Sequence, residues 1–423
     1  MIVDPAQPAA RLAADQQVRR ARNAVYVVFT AAGFAFASWA SRIPQVRAEL
    51  RVTPGTLGLI LLSIAVGSAV AIPLSGMVIA RAGEARTVAA SALLSAAGLG
   101  IVAVGYTHGV LPVAAGLFVL GFGTGAWDVA MNVQGAAVEQ AIGRAIMPRF
   151  HAGWSIGTVA GAVAGTALVA LGVPVTAHLL AAALGIAVAV PAASRGFLPA
   201  GHATATAGTA PGTAPGTAPR RHPLAAWTER RTLLIGVLVL CMTVIEGSGN
   251  DWLSLGVIGR FRTSPVAGTA TFAIFLSAMT AGRWFGPRYV DQYGRVRVLR
   301  AGTVTALAGL LVIGFSPALP AVMAGAVLMG LGTALGFPVG MSAAADDPRF
   351  APARVSTVAS LGYVAFLAGP PAIGFLADQV GVLHAVSAAG ILMAVAFVAC
   401  RAAAPLRPGP TGAGTTPGGP GDP

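Results

Sequence analysis

Twelve long apolar segments follow one another along this chain, and they restrict the folds open to it. A helix needs roughly 20 apolar residues, at a rise of about 1.5 Å each, to cross the hydrocarbon core of a bilayer. The segments cover approximately residues 23–41, 57–80, 87–105, 111–134, 152–172, 175–194, 233–257, 267–290, 298–315, 320–342, 355–377 and 383–400. They do not alternate apolar with polar residues, as the strands of membrane β-barrels do. The pattern therefore predicts an all-α membrane protein with twelve transmembrane helices.

The basic residues are all arginine, and their distribution indicates the orientation in the membrane. With the N-terminus in the cytoplasm, 21 arginines fall in cytoplasmic segments and 5 in external ones, and Arg283 lies inside a segment. This positive-inside bias predicts a multi-pass protein of the cytoplasmic membrane with both termini in the cytoplasm. The inner surface of the lipid bilayer thus accounts for the net charge of +13, and no nucleic-acid partner is expected.

A threefold Gly-Thr-Ala-Pro repeat at 208–219 interrupts the apolar pattern after six segments. Such a sequence cannot build a core and is typical of mobile linkers. The chain is therefore expected to have five parts. These are a cytoplasmic N-terminal tail (1–22), a six-helix bundle (23–194), a disordered cytoplasmic linker (195–232), a second six-helix bundle (233–401) and a disordered cytoplasmic tail (402–423).

The two halves of the chain also resemble each other. A shift of 211 residues aligns Thr53-Pro54 with Ser264-Pro265, Gly83 with Gly294 and Arg86 with Arg297, and a shift of 213 aligns Trp39 with Trp252. Matches in the same order at corresponding places predict two pseudo-symmetric bundles. In such proteins the substrate site lies between the bundles, near the middle of the membrane.

Asp128, in the fourth segment, is the strongest functional signal. A charged carboxylate at that depth costs about 2.5–3.5 kcal/mol on insertion scales, so an acid there indicates a proton or substrate site. The alternative is a structural ion pair with Arg283 or with a loop arginine. Asn132, four residues on, shares the helix face of Asp128. Asn132 and Gln134 are candidates to bind substrate hydroxyls or to bridge helices.

The seventh segment carries a second polar cluster, Glu246-Gly-Ser-Gly-Asn-Asp-Trp252. Its two glycines weaken a helix, so a break is expected here, and broken helices near the middle of the membrane often line substrate sites. Glu246 lies near mid-membrane and is a second candidate for proton coupling, with Asn250 on the same face. Asp251 is expected to bind substrate or to pair with Arg42. Trp252 and Trp39 are candidates to stack on a sugar ring or to anchor the protein at the membrane surface.

Three stretches resemble the Gly-x-x-x-Asp-Arg-x-Gly-Arg loop motif of the major facilitator superfamily: Gly76–Gly83, Asp291–Arg297 and Gly374–Gly381. The resemblance implies that an Asp or Arg pairs with a neighbouring helix end and latches one face of the protein shut. Ala80 replaces the expected Asp in the first stretch, which makes Asp291 and Asp378 the better latch candidates. The full set of expected gating residues is Arg42, Arg81, Gly83, Asp291, Gly294, Arg295 and Asp378.

Within that superfamily, Trp127–Asn132 resembles the acid-x-x-x-Asn stretch of the fucose-permease branch. In that branch an acid on this helix takes the coupled proton and helps to recognise sugar. Three further stretches resemble a neighbouring, uncharacterised group of inner-membrane permeases: Ala35–Pro44, Met147–Trp154 and Gly362–Pro371. The resemblance implies a monomeric transporter in which two six-helix bundles rock about a central site.

The resulting hypothesis is a proton-coupled secondary transporter of a small solute, sugar-like or another polar metabolite, that works by alternating access. One alternative is an exporter of drugs or of an endogenous metabolite. Antiporter families of this superfamily carry a Gly-Pro pair on segment 5, whereas here the Gly369-Pro370 pair lies on segment 11, which argues against a standard drug antiporter. Another alternative is a non-transporting membrane sensor. The sequence has no phosphate-binding loop, metal-ligand cluster or nucleophile elbow, so no enzyme activity, metal or cofactor is expected.

Overall fold

The computed structural model describes residues 6–143, 146–199, 223–347 and 350–406. These residues form helices and turns without a strand, and twelve of the helical units are long and apolar enough to cross a membrane. The prediction of an all-α protein with twelve spans is therefore confirmed. Of the linker (195–232) and the tail (402–423) that were expected to be disordered, residues 200–222 and 407–423 lie outside the described residues. The described parts depart from that expectation, because Pro223–Thr228 and Cys400–Ala403 are helical.

The spans are numbered here in chain order. Spans 1 to 6 are Ala6–Ala40 with Ile43–Leu50, Pro54–Ala82, Glu84–Gly105, Val110–Ile142, Met147–Ala170 and Val175–Ser194. Spans 7 to 12 are Arg230–Phe261, Pro265–Tyr293, Arg295–Phe315, Leu319–Thr333 with Gly336–Ala344, Ala351–Val380, and Val382–Ala388 with Ile391–Ala399. Short 3-10 helices precede span 7 and follow span 12, at Pro223–Thr228 and Cys400–Ala403.

Spans 1–6 pack together as one bundle and spans 7–12 as another, and the two bundles meet mainly through span 2 against span 11 and span 5 against span 8. Since successive spans cross in opposite directions, the start of span 1 and the end of span 12 lie on one side, called here the terminal side. The turns after the odd-numbered spans lie on the opposite, distal side. Residues 6–22, expected to be a tail, are helical and continuous with span 1.

The backbone confirms the repeat between the halves. Thr53 and Ser264 cap spans 2 and 8 in the same way, each accepting a hydrogen bond on its side chain from the backbone N–H three residues on. Gly83 and Gly294 both have φ near +80° (79° and 80°), which glycine adopts without strain. Arg51 and Arg262, also 211 residues apart, are both left-handed, with φ of 54° and 48°.

The break expected in span 7 is absent, because the helix runs without interruption from Arg230 to Phe261. Gly249 instead lies against the ring of Phe275, where a Cβ atom would come within 2.6 Å of the ring. Its lack of a side chain thus serves helix packing rather than flexibility. The interruption occurs in span 10, between Thr333 and Gly336.

Candidate functional site

Asp128 faces the gap between the two bundles. It lies roughly 27 Å from the distal end of span 4, at about 1.5 Å per residue, and its side chain is exposed at the protein surface. It acts electrostatically on Tyr363 of span 11, in the other bundle. Asn132 donates from Nδ2 to the Oδ1 of Asp128 at 3.3 Å and to its backbone oxygen at 2.8 Å. Asp128 has no cationic partner among the described residues, so the alternative of an ion pair with Arg283 is wrong.

Arg283 pairs instead with Glu246, near the middle of the second bundle. Its Nη2 donates to both carboxylate oxygens of Glu246, at 2.8 and 2.9 Å. Its Nε donates to the carbonyl oxygen of Ala334 at 3.3 Å, at the interruption of span 10. That carbonyl lacks its usual helical donor, because the residue four positions on is Pro338, which has no N–H. The charges of Arg283 and Glu246 thus compensate each other.

His151 lies opposite this ion pair, across the gap. It is exposed near the terminal-side start of span 5, and its ring contacts the edge of Phe29 at a centroid distance of 5.2 Å. Arg283 acts on it electrostatically from the other bundle. The gap therefore brings together Asp128, Asn132 and His151 from the first bundle with groups from the second. Sequence reasoning missed Tyr363, which lies within the Gly362–Pro371 stretch.

Asp251 lies on the distal side of Glu246, in a small pocket between spans 7 and 11 that Trp252 and Pro370 also line. It is half-buried, and it has no ion pair or hydrogen bond on its side chain among the described residues. The expected pairing with Arg42 is wrong. Arg42 is 2% exposed and donates from Nε to Nδ1 of His178, at the start of span 6, at 2.8 Å.

The remaining candidates for substrate contact are inside the bundles. Trp39 and Trp252 are 1% and 0% exposed, so in this conformation neither indole is free to stack on a sugar, and neither anchors the protein at the membrane surface. Gln134 and Asn250 are also buried, and each has one side-chain polar atom without a hydrogen-bond partner in the described part of the chain. Direct contact with a solute in the gap would require these four residues to move.

The gap is closed at the distal side by Asp378 of span 11. Its carboxylate accepts hydrogen bonds from the backbone N–H of Gly55, at 3.1 and 3.2 Å, and from Oγ1 of Thr53 at 3.2 Å. Both donors belong to the N-terminus of span 2, which favours a negative charge. Gly58 and Gly374 let the backbones of spans 2 and 11 approach closely beside this contact. Asp378 is thus a latch candidate that joins the two bundles.

Apart from Arg42, which lies on the distal side, the other expected gating residues lie on the terminal side. Arg295 donates from Nη1 to Asp346 at 2.6 Å, and Arg231 donates to the same carboxylate at 2.7 Å, so this network stays within the second bundle. Arg81 and Asp291 are exposed, and neither has an ion pair among the described residues. Since Asp128, His151 and Tyr363 are exposed and the distal side is closed, the gap is reached from the terminal side.

No group of three or more His, Cys, Asp or Glu side chains that could hold a metal ion occurs within the described ranges. The two cysteines, Cys241 and Cys400, are both buried and free, and Asp128 and Glu246 lie on different helices of different bundles. The chemistry available in the gap is therefore that of one uncompensated carboxylate, one ion pair, an imidazole, an amide and a phenol.

Comparison with known proteins places these features in context. A family model described as Major Facilitator Superfamily matches residues 252–420. An uncharacterised MFS-type transporter of Yersinia pestis is 30% identical over 89% of this chain and 94% of its own length. The membrane protein MosC of Rhizobium meliloti is 28% identical, over 89% of each chain.

Solved structures agree on the fold. The crystal structure of the nucleoside transporter NupG superposes with a TM-score of 0.71 at 14% identity, over 90% of this chain and 98% of that one. A bacterial homologue of the human lysosomal transporter Spinster, in an inward-facing and unoccupied conformation, superposes with a TM-score of 0.72 at 12% identity, over 91% of this chain and 97% of that one. At these identities the likeness concerns the fold alone.

Proposed function

Because this chain belongs to the major facilitator superfamily and is a multi-pass membrane transporter of some solute, we propose that it couples the movement of a small polar solute to that of protons. The observation that carries this proposal is the uncompensated carboxyl of Asp128 at mid-depth in the gap. An acid in that position can carry a proton when neutral and hold a cation or a hydroxyl group when charged. Glu246, held by Arg283, is the weaker candidate for proton transfer, since its ion pair would have to break first.

The proposed solute is hydroxylated and carries no net negative charge. The gap offers hydrogen-bond acceptors on Asp128 and Asn132 and donors on Asn132, Tyr363 and His151, a combination that suits hydroxyl groups. A free anion would be repelled by Asp128, and its other target, Arg283, is already occupied by Glu246. These features support a sugar, a polyol or a related metabolite more than an acidic one.

In the proposed orientation the protein lies in the cytoplasmic membrane with both termini on the cytoplasmic side, because most of the arginines would then face the cytoplasm. In that orientation the terminal side is cytoplasmic, and the structure is an inward-facing state in which Asp378 closes the external side. Alternating access would then require the contact of Asp378 with Gly55 and Thr53 to open while the bundles close on the terminal side.

The experiment is uptake into proteoliposomes driven by an imposed pH gradient, preceded by a thermal-shift panel of hexoses, deoxyhexoses, polyols and cationic drugs at pH 5.5 and 7.5. We expect a hydroxylated solute to stabilise the protein and to be taken up with the gradient. Asp128→Asn should abolish gradient-driven uptake while solute exchange without a gradient continues. The matched control is Glu49→Gln, which removes an exposed carboxylate from the distal surface and should leave transport unchanged.

Gradient-driven uptake that survives Asp128→Asn would contradict the coupling role. Stabilisation by cationic amphiphiles alone would instead favour the exporter alternative, in which Asp128 attracts a cation. The sensor alternative would be favoured if no stabilising solute were transported and if the gap could be reached from the terminal side only.

A further inference from the structure

A second cavity lies on the second bundle, separate from the gap. It has a volume of about 650 Å³ and is formed by spans 8, 9 and 10. Small residues make its floor: Gly282 and Gly286 on span 8, Gly302 on span 9 and Gly332 on span 10. The residues that span 8 contributes, from Ala281 to Tyr293, cover roughly 18 Å along the helix axis at about 1.5 Å per residue. The cavity is therefore a long groove that runs towards the terminal side.

Exposed aromatic side chains surround the terminal-side end of this groove. Phe285, Tyr289 and Tyr293 line the groove and are 50%, 44% and 50% exposed. The adjacent Trp284 is 60% exposed, and all four lie within the last ten residues of span 8. Aromatic residues concentrate where the hydrocarbon of a membrane meets its headgroups. The groove thus begins among the acyl chains and ends at the depth of the lipid headgroups.

Two arginines lie at that end, Arg288 and Arg297, and both line the cavity. The Arg288 guanidinium lies over the rings of Phe285 and Tyr289, at 5.0 and 4.9 Å from their centroids. Neither arginine has a carboxylate partner within the described ranges, and the nearby Asp291 is exposed and pairs with neither. This distinguishes them from Arg295, which is tied to Asp346.

We propose that this groove binds one anionic phospholipid, with its phosphate between Arg288 and Arg297 and an acyl chain along the glycine floor. Basic pockets between helices at headgroup depth are suited to anionic lipids. The corresponding place in the first bundle keeps one arginine, Arg86 for Arg297, but has Met77 where Arg288 stands. The two halves of the repeat therefore differ in charge at the position that the lipid phosphate would occupy.

The test is native mass spectrometry of the full-length protein in neutral detergent with dioleoyl-phosphatidylglycerol or dioleoyl-phosphatidylcholine, which have the same acyl chains. We expect one phosphatidylglycerol to be retained in preference to phosphatidylcholine. Arg288→Gln and Arg297→Gln should each weaken that retention about fivefold. Arg86→Gln is the matched control in the first bundle and should retain the lipid as the unmodified protein does.

The proposal would be overturned if the two lipids were retained equally, or if Arg297→Gln and Arg86→Gln reduced the retention of phosphatidylglycerol to the same extent. A further arm adds inorganic phosphate at millimolar concentration. Failure of phosphate to displace the lipid supports an acyl-chain site, whereas displacement would assign the arginines to a soluble anion. Circular dichroism and the melting temperature of each variant, measured in parallel, separate loss of the lipid site from loss of the fold.

Discussion

Replacement of Asp378 by alanine should destabilise the distally closed conformation. The carboxylate receives hydrogen bonds from Gly55 and Thr53 at the start of span 2, and hydrogen bonds to a charged group contribute about 1.5–3 kcal/mol when buried. Asp378 is exposed, so solvent reduces this to about 1–2 kcal/mol, in the range of other helix-terminus contacts. The ratio of closed to open molecules should therefore fall roughly five- to thirtyfold.

Cysteine labelling can measure this change. Ser248 is 3% exposed, in the small pocket between spans 7 and 11, behind the latch. Since the native Cys241 and Cys400 are buried, Ser248→Cys supplies a reporter that reacts with a maleimide mainly when the distal side opens. We expect Asp378→Ala to raise the labelling rate roughly five- to thirtyfold.

Asp378→Asn, which keeps one acceptor oxygen but loses the charge, should give an intermediate labelling rate. Glu49→Gln removes a distal carboxylate that takes no part in the latch, and it should leave the rate unchanged. The reasoning would be refuted by an Asp378→Ala protein that melts as the unmodified protein does and is labelled no faster.

Two further predictions concern stability. Glu246→Gln leaves the Arg283 charge without its partner. It should lower the unfolding free energy by less than the roughly 3–5 kcal/mol that is typical of a fully buried pair, because this pair is partly exposed. A thermal melt checks this, and an unchanged melting temperature in that variant would show that water compensates the charge of Arg283. Gly249→Ala should destabilise the protein by about 1–3 kcal/mol, because its Cβ would overlap the Phe275 ring. Gly247→Ala, where the Cβ meets no atom within 4 Å, should instead stabilise the helix by about 0.5–1 kcal/mol, and similar melting temperatures for these two alanine variants would contradict the packing role of Gly249.

The spans and their pairing into halves could be predicted from the sequence because they depend on local quantities, namely the length of apolar segments and the spacing of turn residues. Thr53 and Ser264 illustrate this, since a cap forms from a residue and its immediate successors. The interruption of span 10 could not be predicted in this way. Gly247 and Gly249 made span 7 the weaker helix by propensity, but packing on Phe275 overrides that preference.

The acidic residues of the candidate site could be predicted from the sequence, but the partners of the charged residues could not. Asp128 stands out because an acid in an apolar segment is unusual wherever the helix points. The pairing of Arg42 with His178 depends on how spans 1 and 6 pack together, and that packing cannot be inferred from the spacing of residues along the chain. A search for polar residues at the same distal depth on different spans would have made His178 a candidate partner.

The contact of Arg283 with Ala334 ties a helix boundary to a charge. Because Pro338 cannot donate to that carbonyl, the guanidinium is the group that bonds it across the interruption of span 10. Any solute group that competes for Glu246 also competes for the position of Arg283, and so alters how the two parts of span 10 are held together. Occupancy of the gap and the arrangement of the two parts of span 10 would then influence each other by the same amount of free energy, as thermodynamic linkage requires.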